Sequence, residues 1–264
     1  MSKKEDRLNK IISILKKSNG ASVKELASEF DVSEMTIRRD LKELEEKNII
    51  DNFYGAAVFN PREDNPITFT DKNEFNYTIS ENSHLMDFEK NKIGKKAVEM
   101  IQEGDVVAID VGTTTEKLTQ NIPTDLDFTA VIFSANNLIH LLARPNVKIV
   151  MPGGEFHRDT GMFESSEGLA IIENTRTTKL FLSAAGIHER LGITCAYSYE
   201  VAIKKSVIKN SLEVILLADS SKFSNISPAF ICNLDCVDKV ITDSLINEKW
   251  VKLLKEKGIE LIIV

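Results

Sequence analysis

The sequence predicts an α/β protein with an open, mostly parallel sheet, preceded by a small winged helix-turn-helix. Three helical patterns fill the first 50 residues, and a β-like run around Gly55 follows them. From residue 106 onward, short Val, Ile and Leu runs alternate with helical segments, as in a parallel sheet covered on both faces. Residues 60–81 are rich in Pro, Asn, Asp and Thr and indicate a linker. The predicted domains are therefore 1–59 and 82–264, joined by 60–81.

The N-terminal domain is predicted to contain three helices with one buried stripe each. Ser22 and Ser33 are suitable N-caps for the second and third helices, and a tight break at residues 31–32 separates the two. The inward residues are Leu8, Ile12 and Leu15, then Val23, Leu26, Ala27 and Phe30, and then Ile37, Leu41 and Leu44. Two short helices in this arrangement, the second capped and cationic outside, indicate a helix-turn-helix.

The C-terminal domain is predicted to open with a helix and to continue through seven strands. The predicted strands span 106–110, 130–134, 147–151, 180–184, 214–218, 240–242 and 261–264, and the predicted helices include 87–102, 116–121 and 136–143. Apolar strands between helices favour a parallel sheet.

Charge and composition exclude several classes of protein. The net charge of −7 argues against a protein that coats DNA nonspecifically. Residues 1–60 carry 11 basic and 11 acidic side chains, so this neutral segment permits a module that uses a few placed cations. No apolar run reaches the ~18 residues of a membrane span, and the first residues lead into a charged helical pattern without the apolar region typical of a secretory signal, so we expect a cytoplasmic protein without a membrane partner. Cys195, Cys232 and Cys236 are expected to be reduced thiols, and we predict no metal site and no cofactor.

The third helix carries the candidate DNA site. An exposed arginine in a major groove can donate two hydrogen bonds to a guanine edge, and the first turn can hold a phosphate. The candidate DNA contacts are Ser22, Ser33, Glu34, Thr36, Arg38, Arg39 and Lys42. The alternative is a solvated face on a small helical bundle.

The candidate ligand site begins where the first predicted strand ends. Gly112 lets the backbone approach a ligand, and Thr113, Thr114 and Thr115 at a helix start suit an anion, with Asp110 beside them. The segment matches neither a P-loop nor a dinucleotide fingerprint, and an ordinary turn is the alternative.

Further polar residues follow other strands, where ligands bind in open α/β sheets. These candidate residues are Gly153, Gly154, Gly186, Glu200, Lys204 and Lys222. Each also has a structural interpretation: Gly-Gly is usually a turn, and Glu200 with Lys204 is usually a surface pair. His188 is available for proton transfer but is more typical of a structural histidine.

The motifs together resemble those of the DeoR family of bacterial sugar-responsive regulators. The segments that carry the resemblance are 32–41 (V-S-E-M-T-I-R-R-D-L), 110–115 (D-V-G-T-T-T), 152–157 (P-G-G-E-F-H), 183–188 (S-A-A-G-I-H), 200–204 (E-V-A-I-K) and 219–223 (D-S-S-K-F). Residues 128–131 and 183–195 are most similar to the family's deoxyribonucleoside-responsive regulators. The match spans nearly the whole chain in the right order.

The resemblance implies an oligomeric repressor that binds double-stranded operator DNA and is released by a phosphorylated sugar. It implies a C-terminal fold similar to ribose-5-phosphate isomerase, glucosamine-phosphate deaminase and CoA transferases. The phosphate would lie on residues 112–115, and the other candidate ligand residues would surround the sugar. A deoxyribose phosphate is the first expectation, and another pentose or hexose phosphate is the second.

Two segments depart from the family's pattern. The wing at residues 52–57 lacks the usual arginine and His-Gly-Gly-Ala run, so the resemblance does not supply its phosphate contact. Residues 164–167 (E-S-S-E) replace a region where a further glycine is common. Two functions remain as alternatives: a sugar-phosphate isomerase or deaminase with an accessory DNA module, which would use Asp110, Glu200 or His188 to move protons, and a DNA-binding activator.

Overall fold

The computed structural model describes residues 3–18, 21–46, 50–53, 56–59 and 85–264. The chain divides into two compact units, Met1–Glu74 and Phe75–Val264. The segment predicted as a linker, 60–81, lies outside the described residues. None of the described helices has the length and apolar character that a membrane span requires.

The N-terminal unit has the predicted winged helix-turn-helix order. Its elements are α1 (Lys3–Ser18), β1 (Ala21–Ser22), α2 (Val23–Glu29), α3 (Glu34–Glu46), β2 (Ile50–Phe53) and β3 (Ala56–Phe59). Strand β3 pairs antiparallel with both β1 and β2, so the predicted β-like wing is a hairpin in a small sheet. Asp31 takes the left-handed conformation, with φ 51°, at the predicted break between α2 and α3.

One small core holds the three helices, and two ion pairs join α1 to α3. Leu8, Ile11 and Leu15 of α1 are buried, whereas Ile12, which we predicted to lie in this stripe, is only partly buried. Both isoleucines have helical spacing to Leu8 and Leu15, so the sequence period alone does not select Ile11, and Ile12 packs against the edge of the same core. The predicted inward residues of α3, Ile37, Leu41 and Leu44, are all buried.

The C-terminal unit contains the predicted helices and strands together with several short additions. Its helices are α4 (Asp87–Val98), α5 (Thr113–Asn121), α6 (Ala135–Leu141), α7 (Ser166–Glu173), α8 (Tyr199–Asn210) and α9 (Glu248–Glu256). Its strands are β4 (Val106–Ile109), β5 (Phe128–Ile132), β6 (Val147–Val150), β7 (Glu155–His157), β8 (Met162–Glu164), β9 (Thr177–Ser183), β10 (Gly186–His188), β11 (Gly192–Cys195), β12 (Ser211–Leu217), β13 (Ala229–Cys232), β14 (Lys239–Thr242) and β15 (Glu260–Ile263).

Seven strands form one parallel sheet in the order β15-β14-β12-β9-β4-β5-β6. From β4 the chain moves outward through β5 to β6, then returns to β9 on the other side of β4. The strand order therefore reverses between β4 and β9. In open parallel sheets, the carboxyl ends of the two strands at such a reversal form a crevice that binds ligands.

The sheet is covered on both faces, which confirms the predicted fold class. In β4, Val107 and Ile109 pack with α4, α5 and α6, whereas Ala108 packs on the opposite face with α7, α8 and α9. Two short antiparallel groups, β7-β8 and β10-β11-β13, were not predicted.

Candidate functional site

The strand-order reversal brings the ends of β4 and β9 together through Asp110 and Ser183. Asp110 follows β4, and its Oδ2 accepts hydrogen bonds from the backbone N and the Oγ of Ser183, both at 2.9 Å. Its backbone carbonyl accepts a hydrogen bond from the Asn137 side chain at 2.9 Å. Asp110 has no exposed surface, so two strands and α6 fix it at the base of the crevice.

Helix α8 adds a buried cation and a second carboxylate to Asp110. The Nζ of Lys204 lies 2.5 Å from the Oδ2 of Asp110 and 3.3 Å from the Oε2 of Glu200. Glu200 and Lys204 are one helical turn apart, which places them on one face of α8. Both side chains are buried, so this i,i+4 pair is not the surface pair that such a spacing usually indicates.

Burial and charge act in opposite directions on this cluster. Burial raises the pKa of Glu200 above the usual glutamate value, and the nearby Asp110 carboxylate raises it further, although Lys204 opposes both effects. Burial alone would lower the pKa of Lys204, but the carboxylates of Asp110 and Glu200 raise it above the usual lysine value. The ammonium is therefore held charged inside the protein.

A pocket opens above this cluster at the start of α5. The space it outlines, including the part open to solvent, is about 440 Å³. The pocket is lined by Val111, Gly112, Thr113, Thr114, Thr160, Ser183, Ala184, Ala185, Cys195, Ala196, Glu200, Lys204 and Lys222. Cations, hydroxyls and one carboxylate thus converge on a single concave surface.

Gly112 gives the pocket its open base. A Cβ at this position would lie 2.8 Å from the Cβ and 2.9 Å from the Oγ of Ser183, so a side chain would collide with the neighbouring strand end. Thr113 and Thr114 follow at the first turn of α5, where backbone N–H groups lack helical partners and favour an anion. The predicted anion-binding segment therefore lies beside Lys204.

Six of the predicted ligand residues line the pocket, and five do not. The lining includes Gly112, Thr113, Thr114, Glu200, Lys204 and Lys222. The predicted residues outside it are Asp110, Thr115, Gly153, Gly154 and Gly186. Asp110 holds Lys204 from beneath, and the Thr115 hydroxyl donates to the Gly112 carbonyl at 2.9 Å.

The three remaining glycines have local structural roles. Gly154 has φ 131°, and a Cβ there would lie 2.2 Å from the Glu164 carbonyl oxygen. A Cβ on Gly186 would lie 2.7 Å from the Asn225 carbonyl oxygen. Gly153 has φ 71°, a conformation that favours glycine. A direct ligand contact for these residues stays a prediction.

Three polar residues of the pocket lining, and one lysine outside it, were missed by the sequence analysis. Ser183, Thr160 and Cys195 line it, and the Thr160 hydroxyl bonds to the hydroxyl of Tyr199 at 3.1 Å. Burial raises the pKa of Cys195 to about 12, so its thiol stays protonated. The fourth, Lys90 of α4, is fully buried. The S-A-A-G-I-H segment could have identified Ser183, but no motif marks Lys90.

The exposed face of α3 is the candidate nucleic-acid interface. Arg38, Arg39 and Lys42 are exposed, and Arg38 lies 3.7 Å from Glu34 in a long i,i+4 ion pair. The Ser33 Oγ accepts a hydrogen bond from the Thr36 backbone N at 3.2 Å, which confirms the predicted N-cap.

Two ion pairs, Arg7–Asp40 and Lys4–Glu43, orient α3 against α1. On the inner side, Asp40 accepts hydrogen bonds from the Nε and Nη2 of Arg7, at 2.5 and 3.2 Å, which ties α3 to α1. The backbone of Ser22 lies in β1, and its side chain lies outside the described atoms, as do residues 54 and 55 of the wing. The exposed cations thus project from a helix that is fixed on its opposite side.

The chain matches two protein-family models, one in the N-terminal unit and one in the C-terminal unit. The model of the DeoR-like helix-turn-helix domain matches residues 7–63, and that of the DeoR C terminal sensor domain matches residues 87–244. The two matches together cover α3 and the strand-end pocket.

Relatives align over nearly the whole chain. The deoxyribose operon repressor of Escherichia coli (strain K12) is 29% identical over 259 residues, 98% of this chain and 98% of that protein. The lactose phosphotransferase system repressor of Staphylococcus epidermidis is 29% identical over 256 residues, 95% of this chain and 96% of that protein. Among solved structures, ribose 5-phosphate isomerase A of Methanocaldococcus jannaschii aligns at 16% identity with a TM-score of 0.40, covering 52% of this chain and 55% of that one.

Proposed function

The chain belongs to the DeoR family of transcriptional regulators, and from that premise we propose that it is a cytoplasmic repressor of a carbohydrate or nucleoside catabolic operon. In this proposal α3 binds operator DNA, and a phosphorylated sugar binds the strand-end pocket and weakens that binding. Deoxyribose 5-phosphate is the first candidate, in keeping with the name of one relative. Another relative with the same identity is named for the lactose phosphotransferase system, so identity alone does not select the sugar.

The observation that carries the proposal is the buried Asp110–Lys204–Glu200 cluster beneath a pocket at the first turn of α5. Burying three charges costs several kcal/mol unless they are well paired, and replacing such a cluster by apolar residues often stabilises a protein. A cluster of this kind at the strand-order reversal is therefore better explained by ligand binding than by stability. Carboxylates suit sugar hydroxyls, and the α5 N-terminus with Lys222 suits a phosphate.

Operator recognition is supported by the face that α3 leaves exposed. Three cations point outward on a helix whose opposite side is held by Asp40 and Arg7. Phosphate contacts would position the helix, and arginine contacts to base edges would give sequence preference. We expect a homo-oligomer, because two-fold related units match palindromic operators.

The pocket geometry favours binding over turnover. The Asp110 Oδ2 already accepts hydrogen bonds from Ser183 and Lys204, so it is engaged as a structural anion. His188 does not line the pocket, and its Nδ1 accepts hydrogen bonds from the backbone N of Arg190 and Leu191 at 3.2 and 3.3 Å. Glu200 does line the pocket, but its Oε1 accepts a hydrogen bond from the backbone N of Tyr197 at 3.1 Å and its Oε2 pairs with Lys204 at 3.3 Å. The alternative enzyme would need a carboxylate that is free to move a proton close to the bound sugar.

A sugar-phosphate panel followed by operator release tests the proposal. Trp250 is the single tryptophan of the chain and is buried in the C-terminal unit, so its fluorescence reports the unfolding of that unit. A phosphorylated sugar at 100 times its dissociation constant should stabilise the unit by roughly 2.7 kcal/mol. The same sugar, but not its unphosphorylated form, should release the chain from operator DNA in a gel-shift titration.

Two results would contradict the proposal. Stabilisation without any change in operator affinity would remove the coupling between ligand and DNA. Multiple turnovers of ribose 5-phosphate or glucosamine 6-phosphate, followed by NMR and lost in Asp110→Asn, would support the enzyme instead.

A further inference from the structure

A second group of buried charges lies under the first turn of α4, apart from the Asp110–Lys204–Glu200 cluster. Lys90 and Asp219 have no exposed surface, although lysine and aspartate are seldom fully buried unless paired. Asp219 follows β12, and the turn Ser220–Lys222 leads from it to Lys222, which lines the pocket. We call Lys90, Asp219 and Lys222 the α4 cluster.

The charges around Lys90 come from three directions. Asp219 and Lys222 act on it from the end of β12, Asp87 from its own helix, and Lys117 from α5. Burial lowers the pKa of Lys90 to about 8, and Asp219 opposes that effect more strongly than the other groups do. Asp243 closes the end of β14, but its carboxylate is occupied by the backbone N of Ser220 and Leu245, at 2.6 and 2.9 Å.

Asp219 has a carboxylate oxygen that is not satisfied within the protein. Its Oδ1 accepts hydrogen bonds from the backbone N and the hydroxyl of Ser221. Its Oδ2 is buried and, among the described residues, has no hydrogen-bond partner. The Oδ1 of Asp110, at the end of β4, is likewise buried without a hydrogen-bond partner among the described residues. Buried polar atoms of this kind are rare in proteins and indicate a missing partner such as a ligand or water.

The first turn of α4 is tied to the helix that begins at the pocket. The Nζ of Lys117 in α5 lies 2.7 Å from the Oδ1 of Asp87. The two helices approach closely at Gly94, where a Cβ would lie 2.6 Å from the carbonyl carbon of Lys117. The α4 cluster is thus held in fixed register with the α5 N-terminus.

From this geometry we propose that the α4 cluster forms the anion-recognising side of the pocket, in which Lys90 is a positioning residue that acts through Lys222 and Asp219. The inference rests on the proposed function, because it assigns a further residue to the same sugar-phosphate site. Lys222 faces the anion directly, whereas Lys90 adds positive charge behind it. The Asp219 carboxylate attracts the Lys90 ammonium, and its buried Oδ2 accepts no hydrogen bond from the described residues.

The arrangement makes ligand affinity dependent on pH. An anion near the α4 cluster raises the pKa of Lys90 above about 8, so a proton is taken up on binding when the free protein has lost it. Affinity is therefore full below pH 8 and falls as pH rises above it. A phosphate monoester is already a dianion in this range, since its second pKa is about 6, and contributes no uptake of its own.

The experiment measures the dissociation constants of deoxyribose 5-phosphate and inorganic phosphate by calorimetry from pH 7.5 to 9. Two buffers of different ionisation enthalpy give the proton uptake. Wild type should lose several-fold in affinity across this range and take up roughly three-quarters of a proton at pH 8.5. Lys90→Met keeps the length of the side chain without its charge. It should bind about tenfold more weakly at pH 7.5 and show no pH dependence above 8.

The control variant is Lys95→Met, which removes an exposed lysine from the same helix and should behave as wild type. Fluorescence of Trp250 verifies that each variant is folded. If wild type binds both probes but takes up no proton and Lys90→Met matches its affinity, the role of Lys90 is wrong while the proposed function stands. If neither probe binds wild type and no other sugar phosphate stabilises it, the proposed function fails and this inference fails with it.

Discussion

The C-terminal unit buries two lysines, Lys204 and Lys90, and the charges that surround them differ. Lys204 lies between the carboxylates of Asp110 and Glu200, which raise its pKa above the usual value. Lys90 faces both Asp219 and a second ammonium, that of Lys222, and burial lowers its pKa to about 8. One buried cation is therefore stabilised by its partners, whereas the other is held at a cost in stability.

This difference separates two uses of buried charge. A compensated cation organises its surroundings, since Lys204 fixes the carboxylates of two different elements at the base of the pocket. Lys90 lies near a second ammonium, that of Lys222, so an arriving anion offsets part of this unfavourable charge interaction and thereby gains binding free energy. Replacing each lysine by methionine should consequently change stability in opposite directions.

The largest effect is expected from Lys204→Met. This change leaves Asp110 and Glu200 buried without their cation and should destabilise the C-terminal unit by about 3–5 kcal/mol at neutral pH. Denaturant unfolding followed by Trp250 fluorescence measures the loss. The matched control is Lys209→Met, an exposed position on the same helix, which should change stability by less than about 0.5 kcal/mol.

A double variant identifies the cause of that loss. Asp110→Asn removes one of the stranded charges, so the double variant should lose less stability than the two single variants added together. A strictly additive result would show that the loss comes from packing and that the charges are not coupled.

The opposite sign is expected for Lys90→Met. The pKa of Lys90 is about 8 in the folded protein and 10.5 in the reference state, so its buried charge costs up to about 3 kcal/mol at pH 7. The variant should gain part of this amount. Between pH 8 and 10.5 the unfolded wild-type chain binds more protons than the folded one, so the stability of wild type rises with pH and the advantage of the variant shrinks.

Denaturant unfolding of wild type and Lys90→Met at pH 7 and pH 10 tests whether the buried charge of Lys90 lowers stability. A destabilised variant with a pH-independent difference would place Lys90 in the same class as Lys204. The proposed difference between the two lysines would then be wrong.

Exposed charge provides the third case, on α3. Arg38→Ala and Arg39→Ala remove exposed cations, so stability should change by less than about 0.5 kcal/mol, while operator affinity should fall by about 1–3 kcal/mol for each lost base contact. Gel-shift titration at fixed salt, with circular dichroism as the folding control, checks both parts. Arg7→Ala is the opposite control. It breaks the ion pair with Asp40, so it should lower the stability of the N-terminal unit, whereas the variants at Arg38 and Arg39 should not.

These contrasts also show what could be predicted from the sequence. All seven strands of the parallel sheet were predicted, because doubly covered strands need unbroken Val, Ile and Leu runs. The strands of the two antiparallel groups are three or four residues long, too short to show a period. The order of the strands, which creates the pocket, is a tertiary property.

Two residues of α4 are buried and exposed in the opposite way to what an amphipathic sequence pattern predicts. In its first turn Phe88 is 68% exposed while Lys90 is 0% exposed, although an amphipathic pattern would bury the phenylalanine and expose the lysine. Glu200 and Lys204 show the same inversion in α8. Local pattern fails at these positions because the carboxyl edge of the sheet places charge inside the protein, and functional sites are where such conflicts are expected.

The smallest effect is expected at Thr113, which lines the pocket beside the α5 N-terminus but has no charge. Thr113→Val keeps the shape and the backbone N–H and removes only a hydroxyl donor, which should weaken sugar-phosphate binding by about 1–2 kcal/mol. Thr113→Ser retains the hydroxyl and should restore most of the affinity. Operator affinity without sugar should be equal in all three proteins, because α3 belongs to the other unit. More sugar should then be needed to release Thr113→Val from DNA, by the same factor as its loss in sugar affinity, since the coupling between two sites is reciprocal. If the valine variant releases DNA at the wild-type sugar concentration, the phosphate does not contact Thr113, and the charges of Lys222 and Lys90 must hold it without the helix N-terminus.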